Sequence, residues 1–204
     1  WKKLVDSGDV GNFGRKTQDT QNAFMAGNTA MYLDSTASLS SVLTGVNKKF
    51  EVGTGFLPKV NSTDKGGVSI GGASLWIMNK KDEAKQQASW EFLKFMVSAK
   101  EQAYWNANTG YFPVNKQAYN LKEVKDNLVK YPQFQTAIDQ LHASTPDSKG
   151  ALLGVFPEAR AATETNIESM LGGKQTPQEA LDNAAKTANS ADRKSTRLNS
   201  SHQY

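Results

Sequence analysis

The sequence predicts an α/β fold with a late helical block, on two observations. Early in the chain, apolar segments of strand length alternate with helical segments; beyond about residue 113 only helix-type patterns recur. Length sets a bound on this picture, because 204 residues bury one substantial core or two small ones.

Taken in order, Trp1 to Gly8 reads as the end of a helix whose beginning lies before the chain, with Gly8 as its stop. Thr20 to Ala26 predicts a short helix closed by Gly27, and Thr29 to Leu33 a strand. Ser35 occupies an N-cap position before a helix over Thr36 to Leu43, and Phe50 to Leu57 is a second strand closed by Pro58. Residues 59–67 are a polar, glycine-containing connector, after which Val68 to Met78 is a third strand interrupted by Gly71 and Gly72. Asp82 to Val97 carries Ala84, Ala88, Trp90, Leu93, Phe95 and Val97 at near-helical spacing. A further helix over Ala99 to Asn106 runs into the turn Thr109-Gly110-Tyr111-Phe112-Pro113. Helices are then expected over Asn115–Tyr119, Val124–Val129, Gln133–His142 and Pro157–Leu171, the last closed by Gly172-Gly173. The final helix has the clearest start: Thr176 and Glu179 form a capping box around Pro177, and the helix is expected to reach about Ala188.

Charge gives little support to a nucleic-acid partner. The formal net charge is +4, but Arg193, Lys194, Arg197 and Asp192 fall in a terminal segment, 192–204, that resembles a translated sequencing adapter and is expected to be an artefact tail. Without it, 21 basic residues face 19 acidic ones, and between Lys80 and Lys100 the two signs alternate as on a solvated helix face. No cysteine is present, which removes disulfides, thiolate nucleophiles and cysteine-based metal sites. No apolar run approaches the roughly 18 residues of a membrane span.

Catalytic chemistry finds few residues to carry it. The two histidines are His142, at a predicted helix end, and His202, in the suspect tail. No Gly-x-Ser-x-Gly elbow, phosphate-cradling glycine-lysine loop or His-x-x-x-His pair occurs. Metal ligands and cofactor motifs are lacking as well, so no cofactor is expected. Asp82-Glu83 and Glu164 with Glu168 read as solvated carboxylates on helices. Trp90, Phe92 and Phe95, and Tyr104 with Trp105, read as core residues in preference to sugar-stacking platforms.

Four positions ask for more. Ser35 opens a helix after a strand, and its hydroxyl with the backbone N–H groups behind it makes either a simple cap or an anion-binding corner. Gly72, beside Gly71, marks either a bulge or a close approach of a ligand to the backbone. Tyr111 offers a phenol in a tight turn, as a donor to a ligand or as a buried group with a backbone partner. Arg160 is expected in the first turn of the helix that Pro157 opens, where the dipole disfavours a cation. Its compensating anion is Glu158, another carboxylate, or a bound phosphate gripped by two parallel hydrogen bonds.

Several stretches together resemble the family-1 extracellular solute-binding proteins of ABC importers, nearest to the glycerol-3-phosphate binders. They are Asn22-Ala23-Phe24-Met25-Ala26-Gly27-Asn28-Thr29-Ala30-Met31, Gly71-Gly72-Ala73-Ser74-Leu75-Trp76-Ile77-Met78 and Ala88 to Phe95. Thr109-Gly110-Tyr111-Phe112-Pro113-Val114 and Gly173-Lys174-Gln175-Thr176-Pro177-Gln178-Glu179-Ala180-Leu181 follow in the same order. The resemblance covers residues 1 to about 190 and implies a type II periplasmic-binding-protein-like fold, truncated. On that pattern, 1–57 belongs to the second lobe, 58–112 crosses into the first, and 113–191 is a helical return to the second.

The same resemblance implies a solute carrier that is not an enzyme and works outside the cytoplasm, in the periplasm or as a surface lipoprotein, delivering its ligand to a membrane permease. The expected ligand is glycerol 3-phosphate or a glycerophosphodiester, held by Ser35, Gly72, Tyr111 and Arg160. Arg160 matches the arginine of a Gly-x-x-Pro-x-x-Arg stretch, here Gly154 to Arg160. A binder of neutral oligosaccharides in the same family is the alternative, and an α/β enzyme a more distant one. Family members are much longer, so this chain is expected to hold only part of the site.

Overall fold

The structure is a computed structural model describing the backbone of residues 1–61, 63–64, 67–79, 82–148, 150 and 153–201, with the side chains of 196–201 set aside. Part of the 59–67 connector and His202 therefore lie outside the described residues. Nine α-helices occur among them: α1 Lys2–Asp6, α2 Thr17–Met25, α3 Leu39–Val46, α4 Glu83–Met96, α5 Ala99–Thr109, α6 Lys122–Lys130, α7 Gln133–Ala143, α8 Phe156–Leu171 and α9 Pro177–Ser201. Short 3-10 turns cover Thr36–Ser38, Lys116–Asn120 and Pro146–Ser148.

Side-chain caps set the starts of α4, α5 and α9. Asp82 accepts from the Lys85 N–H at 3.1 Å to start α4, and Ser98 accepts from Glu101 at 3.4 Å to start α5. At α9 the capping box closes in both directions, with the Thr176 N–H on Glu179 at 2.7 Å and the Glu179 N–H on the Thr176 hydroxyl at 3.2 Å. The Thr176 N–H and, at 2.8 Å, the Thr176 hydroxyl both donate to Glu179 Oε2 and hold the carboxyl below its ordinary range. α9 extends past the expected end near Ala188 to Ser201, with Asp192, Arg193 and Lys194 exposed on it. Neither glycine nor proline interrupts 178–201, so nothing local stops the helix earlier.

The three expected strands do not form: 29–33, 50–57 and 68–78 contain no β-ladder among the described residues. A strand is completed by a neighbour, and here the backbone groups find side chains instead. Gln133 Nε2 donates to the Val52 carbonyl at 2.8 Å, and the Leu57 N–H donates to Gln140 Oε1 at 3.0 Å. Thr54 and Thr136 share a hydroxyl contact of 2.8 Å. Residues 133, 136 and 140 lie along one face of α7, which holds the 50–57 segment as a tether. Further on, the Val68 N–H donates to the Ser144 hydroxyl at 3.0 Å.

The chain divides into two compact units, one of Trp1–Tyr32 with Gly150–Tyr204 and one of Leu33–Lys149. In the first, α8 and α9 pack together through Met170, Leu171 and Ala180, with Val5 and Ile167 against them. The turn between them closes with the Lys174 N–H on the Ser169 carbonyl at 2.9 Å while Gly173 takes φ +74°. In the second, Ala103, Ala118 and Val124 form a core joined by Ala99, Tyr119, Leu121 and Leu128. Burial raises the Tyr119 phenol, whose hydroxyl donates to the Pro113 carbonyl at 3.1 Å.

The aromatic residues expected in the core are outside it. Trp90, Phe92, Phe95, Tyr104 and Trp105 are exposed, and Trp76 is 85% exposed. Leu75, Trp76 and Ile77 run beside Ala88, Ser89, Phe92 and Leu93 of α4, bounding an open groove of about 420 Å³. Within this unit, no described element buries Trp90, Phe92 or Phe95 of α4.

Candidate functional site

Ser35 caps the 3-10 turn as expected, its hydroxyl oxygen accepting from the Ala37 N–H at 3.3 Å. The corner already holds an anion of the protein's own. Asp34 accepts from the Ser35 N–H at 2.7 Å and from the Ser38 hydroxyl at 2.8 Å. A second negative charge placed there would meet the Asp34 carboxylate, whereas the exposed Ser35 hydroxyl keeps its proton for a neutral or weakly basic oxygen.

Tyr111 follows Gly110, which ends α5 in the left-handed conformation at φ +83°. A Cβ on Gly110 would stand 2.3 Å from the Phe134 ring and 3.1 Å from the Ser40 hydroxyl, so the turn is pressed against α7 and the first turn of α3. That contact brings the Tyr111 turn beside the helix that the Ser35 cap precedes. Its backbone is pinned from below by Asn106, 1% exposed, whose amide donates to the Tyr111 carbonyl at 2.8 Å and accepts from Asn127 at 3.4 Å. The ring itself is 42% exposed, and its hydroxyl has no protein partner among the described residues. Sequence reasoning missed Asn106 and Asn127; an asparagine at an inward helical position near a functional turn was the available signal.

Gly72 lies in the same unit with φ +131°, a conformation that only glycine adopts readily. No atom lies within 4 Å of where its Cβ would be, so backbone shape and not crowding requires glycine here. No described contact joins it to Ser35 or Tyr111.

Arg160 stands on α8, in the other unit. The helix starts at Phe156, which places Arg160 at the fifth helical position, beyond the turn where the dipole acts most strongly. Its compensating anion is Glu164, whose Oε1 accepts from Arg160 Nε at 2.7 Å. Arg15, from the loop before α2, reaches the same group: its Nη1 meets Glu164 Oε2 at 3.4 Å, its Nε meets Glu168 Oε1 at 2.7 Å and its Nη2 meets Glu168 Oε2 at 2.5 Å. The Arg15 hydrogen bonds hold the Glu168 carboxyl below its usual range and raise the guanidinium. The Arg160 side chain is 69% exposed, and neither Nη has a protein acceptor among the described residues.

No group of three or more acidic or histidine side chains gathers as a metal site among the described residues. His142 stands exposed in the last turn of α7. Likewise, no described helix is long and apolar enough to cross a membrane.

The architecture is that of a partial periplasmic-binding-protein-like fold, on its likeness to a solved structure. The crystal structure of UgpB from Mycobacterium tuberculosis in complex with glycerophosphocholine superposes with a TM-score of 0.71 at 25% identity, over 85% of this chain and 43% of that one. The family model for bacterial extracellular solute-binding proteins matches residues 1–136, and this chain belongs to that family. It is 36% identical over 187 residues to the sn-glycerol-3-phosphate-binding periplasmic protein UgpB of Pectobacterium atrosepticum, covering 89% of this chain and 41% of that protein. With the Escherichia coli K12 protein of the same name it shares 34% over 192 residues, covering 92% and 43%. The chain thus spans about two fifths of the length of these relatives. Their names and the family description agree with the extracytoplasmic location the sequence implies.

Proposed function

We propose that this chain is the carboxy-terminal part of the substrate-binding component of an ABC importer that captures glycerol 3-phosphate or a glycerophosphodiester. The observation that carries the reading is the Arg160 guanidinium: exposed, held at Nε alone, with both Nη groups available as a fork for a phosphate, in a chain 36% identical to a glycerol-3-phosphate binder. Arg160 then takes the phosphate and the Tyr111 phenol donates to a ligand oxygen. The Ser35 hydroxyl, next to Asp34, faces a glycerol hydroxyl, and Gly72 offers its bare backbone. Capture is non-covalent, stabilising a closed form that a membrane permease accepts.

The lobe assignment belongs to the same reading. Residues 58–112 cross into a lobe supplied by the remaining length of the protein, which covers Trp76, Phe92 and their exposed neighbours. Support comes from the uncovered apolar face of α4 and from the two-fifths coverage of the relatives.

The test is titration calorimetry on a chimera joining this chain to the preceding part of the Escherichia coli relative. Binding of glycerol 3-phosphate that falls roughly a hundredfold in Arg160→Ala is expected, the scale of one charged bidentate contact. Unchanged phosphate affinity in that variant, or preference for a neutral oligosaccharide, overturns the reading.

A further inference from the structure

We infer that Glu164, held by Arg15, is the positioning residue that sets Arg160 with its two-nitrogen fork free for an oxyanion; the inference rests on the reading of Arg160 as the phosphate contact. A carboxylate beside a guanidinium gains most by gripping it with both oxygens. Doing so at Arg160 would occupy one edge of the fork and compete with any ligand. Glu164 instead engages Nε alone, through Oε1, because its Oε2 is turned to Arg15 Nη1 at 3.4 Å.

Arg15 is fixed for this task by contacts that have nothing to do with Arg160. Its Nε and Nη2 lie on the two oxygens of Glu168, and Nη2 reaches the Thr165 hydroxyl at 3.3 Å. Glu164, Thr165 and Glu168 occupy one stripe of α8, so the loop residue spans a helical turn and holds the intervening carboxylate between two cations. Charge also balances: two guanidiniums face two carboxylates, which leaves Arg160 to recognise a phosphate by the geometry of its N–H groups more than by excess positive charge.

The experiment follows the arginine Nε–H resonances of the ¹⁵N-labelled chimera with the preceding part of the Escherichia coli relative, with and without sn-glycerol 3-phosphate. In the unliganded chimera, solvent exchange at Arg160 Nε–H is expected to speed up about tenfold in Glu164→Gln, the ratio one charge-assisted hydrogen bond sets. Arg15→Lys keeps the charge and one contact to Glu168 but cannot also reach Glu164, so it should speed exchange at Arg160 and weaken the ligand-induced shift several-fold. Circular dichroism on each variant reports whether α8 is intact.

Arg160 exchange and ligand response equal to wild type in both variants, with the helix intact, overturn the positioning role. So does faster exchange with undiminished ligand response. An otherwise wild-type chimera whose Arg160 resonance ignores glycerol 3-phosphate while its exchange still depends on Arg15 counts against the phosphate reading itself.

Discussion

Arg15 and Glu168 are 153 residues apart in sequence and meet through two parallel hydrogen bonds of 2.7 and 2.5 Å. The pair ties the loop before α2 to the last turn of α8, and it makes the stability of this unit depend on acid. Because the hydrogen bonds from Arg15 hold the Glu168 carboxyl below its ordinary value of 4.5 in the folded state, the unfolded chain takes up the proton first as pH falls. The stabilisation is present above about pH 4.5 and is lost as pH drops through the lower folded value. Thermal unfolding of wild type and Arg15→Ala across pH 3 to 7 should show curves that separate near neutrality and converge in acid. A gap that widens in acid contradicts this linkage.

Gly110 and Gly72 separate crowding from backbone strain. Both have positive φ, but a Cβ at Gly110 would stand 2.3 Å from the buried Phe134 ring, whereas at Gly72 it meets nothing. Gly110→Ala is expected to lower stability by about 2 to 3 kcal/mol in urea unfolding, and Gly72→Ala by about 1 kcal/mol. Equal losses would mean that Phe134 gives way freely.

Asn106→Ala removes a donor and an acceptor from a buried position. The Tyr111 carbonyl and the Asn127 amide lose their partner, a change that costs about 1 to 3 kcal/mol. Broader Tyr111 and Gly110 amide resonances should accompany it, because the turn loses its anchor. Unfolding at the wild-type urea midpoint would show that water substitutes for the side chain.

Apolar exposure is expected to make this chain self-associate when alone. Trp76, Trp90, Phe92 and Phe95 are all exposed, and the first and third border one groove. Light scattering and binding of an apolar dye should rise with protein concentration and fall in Trp76→Ser with Phe92→Ser. Weak capture of glycerol 3-phosphate is expected from the isolated chain, since it spans two fifths of its relatives' length. Nanomolar-range affinity in calorimetry would remove the need for the remaining lobe.

The sequence by itself determined where α4, α5 and α9 start, while α2 and α6 begin at Thr17 and Lys122, ahead of the expected Thr20 and Val124. Asp82, Ser98 and the Thr176–Glu179 box act over three residues or fewer, and each signal is complete within its own stretch of chain. Family membership was legible for a similar reason, in short stretches kept in order. Strands at 29–33, 50–57 and 68–78 were not decided locally: extended residues become a ladder only when another strand presents its edge, and the 50–57 segment finds α7 side chains instead. Periodicity likewise marked the apolar face of α4 without saying whether anything covers it. For the site, the sequence pointed to the four side-chain types and left the anion beside Arg160 open. The helix supplied Glu164, one turn on from Arg160, and tertiary structure added Arg15, a residue that approaches α8 only after nearly 150 residues of intervening chain fold back, and Asn106, whose burial alone makes it the anchor of the Tyr111 turn.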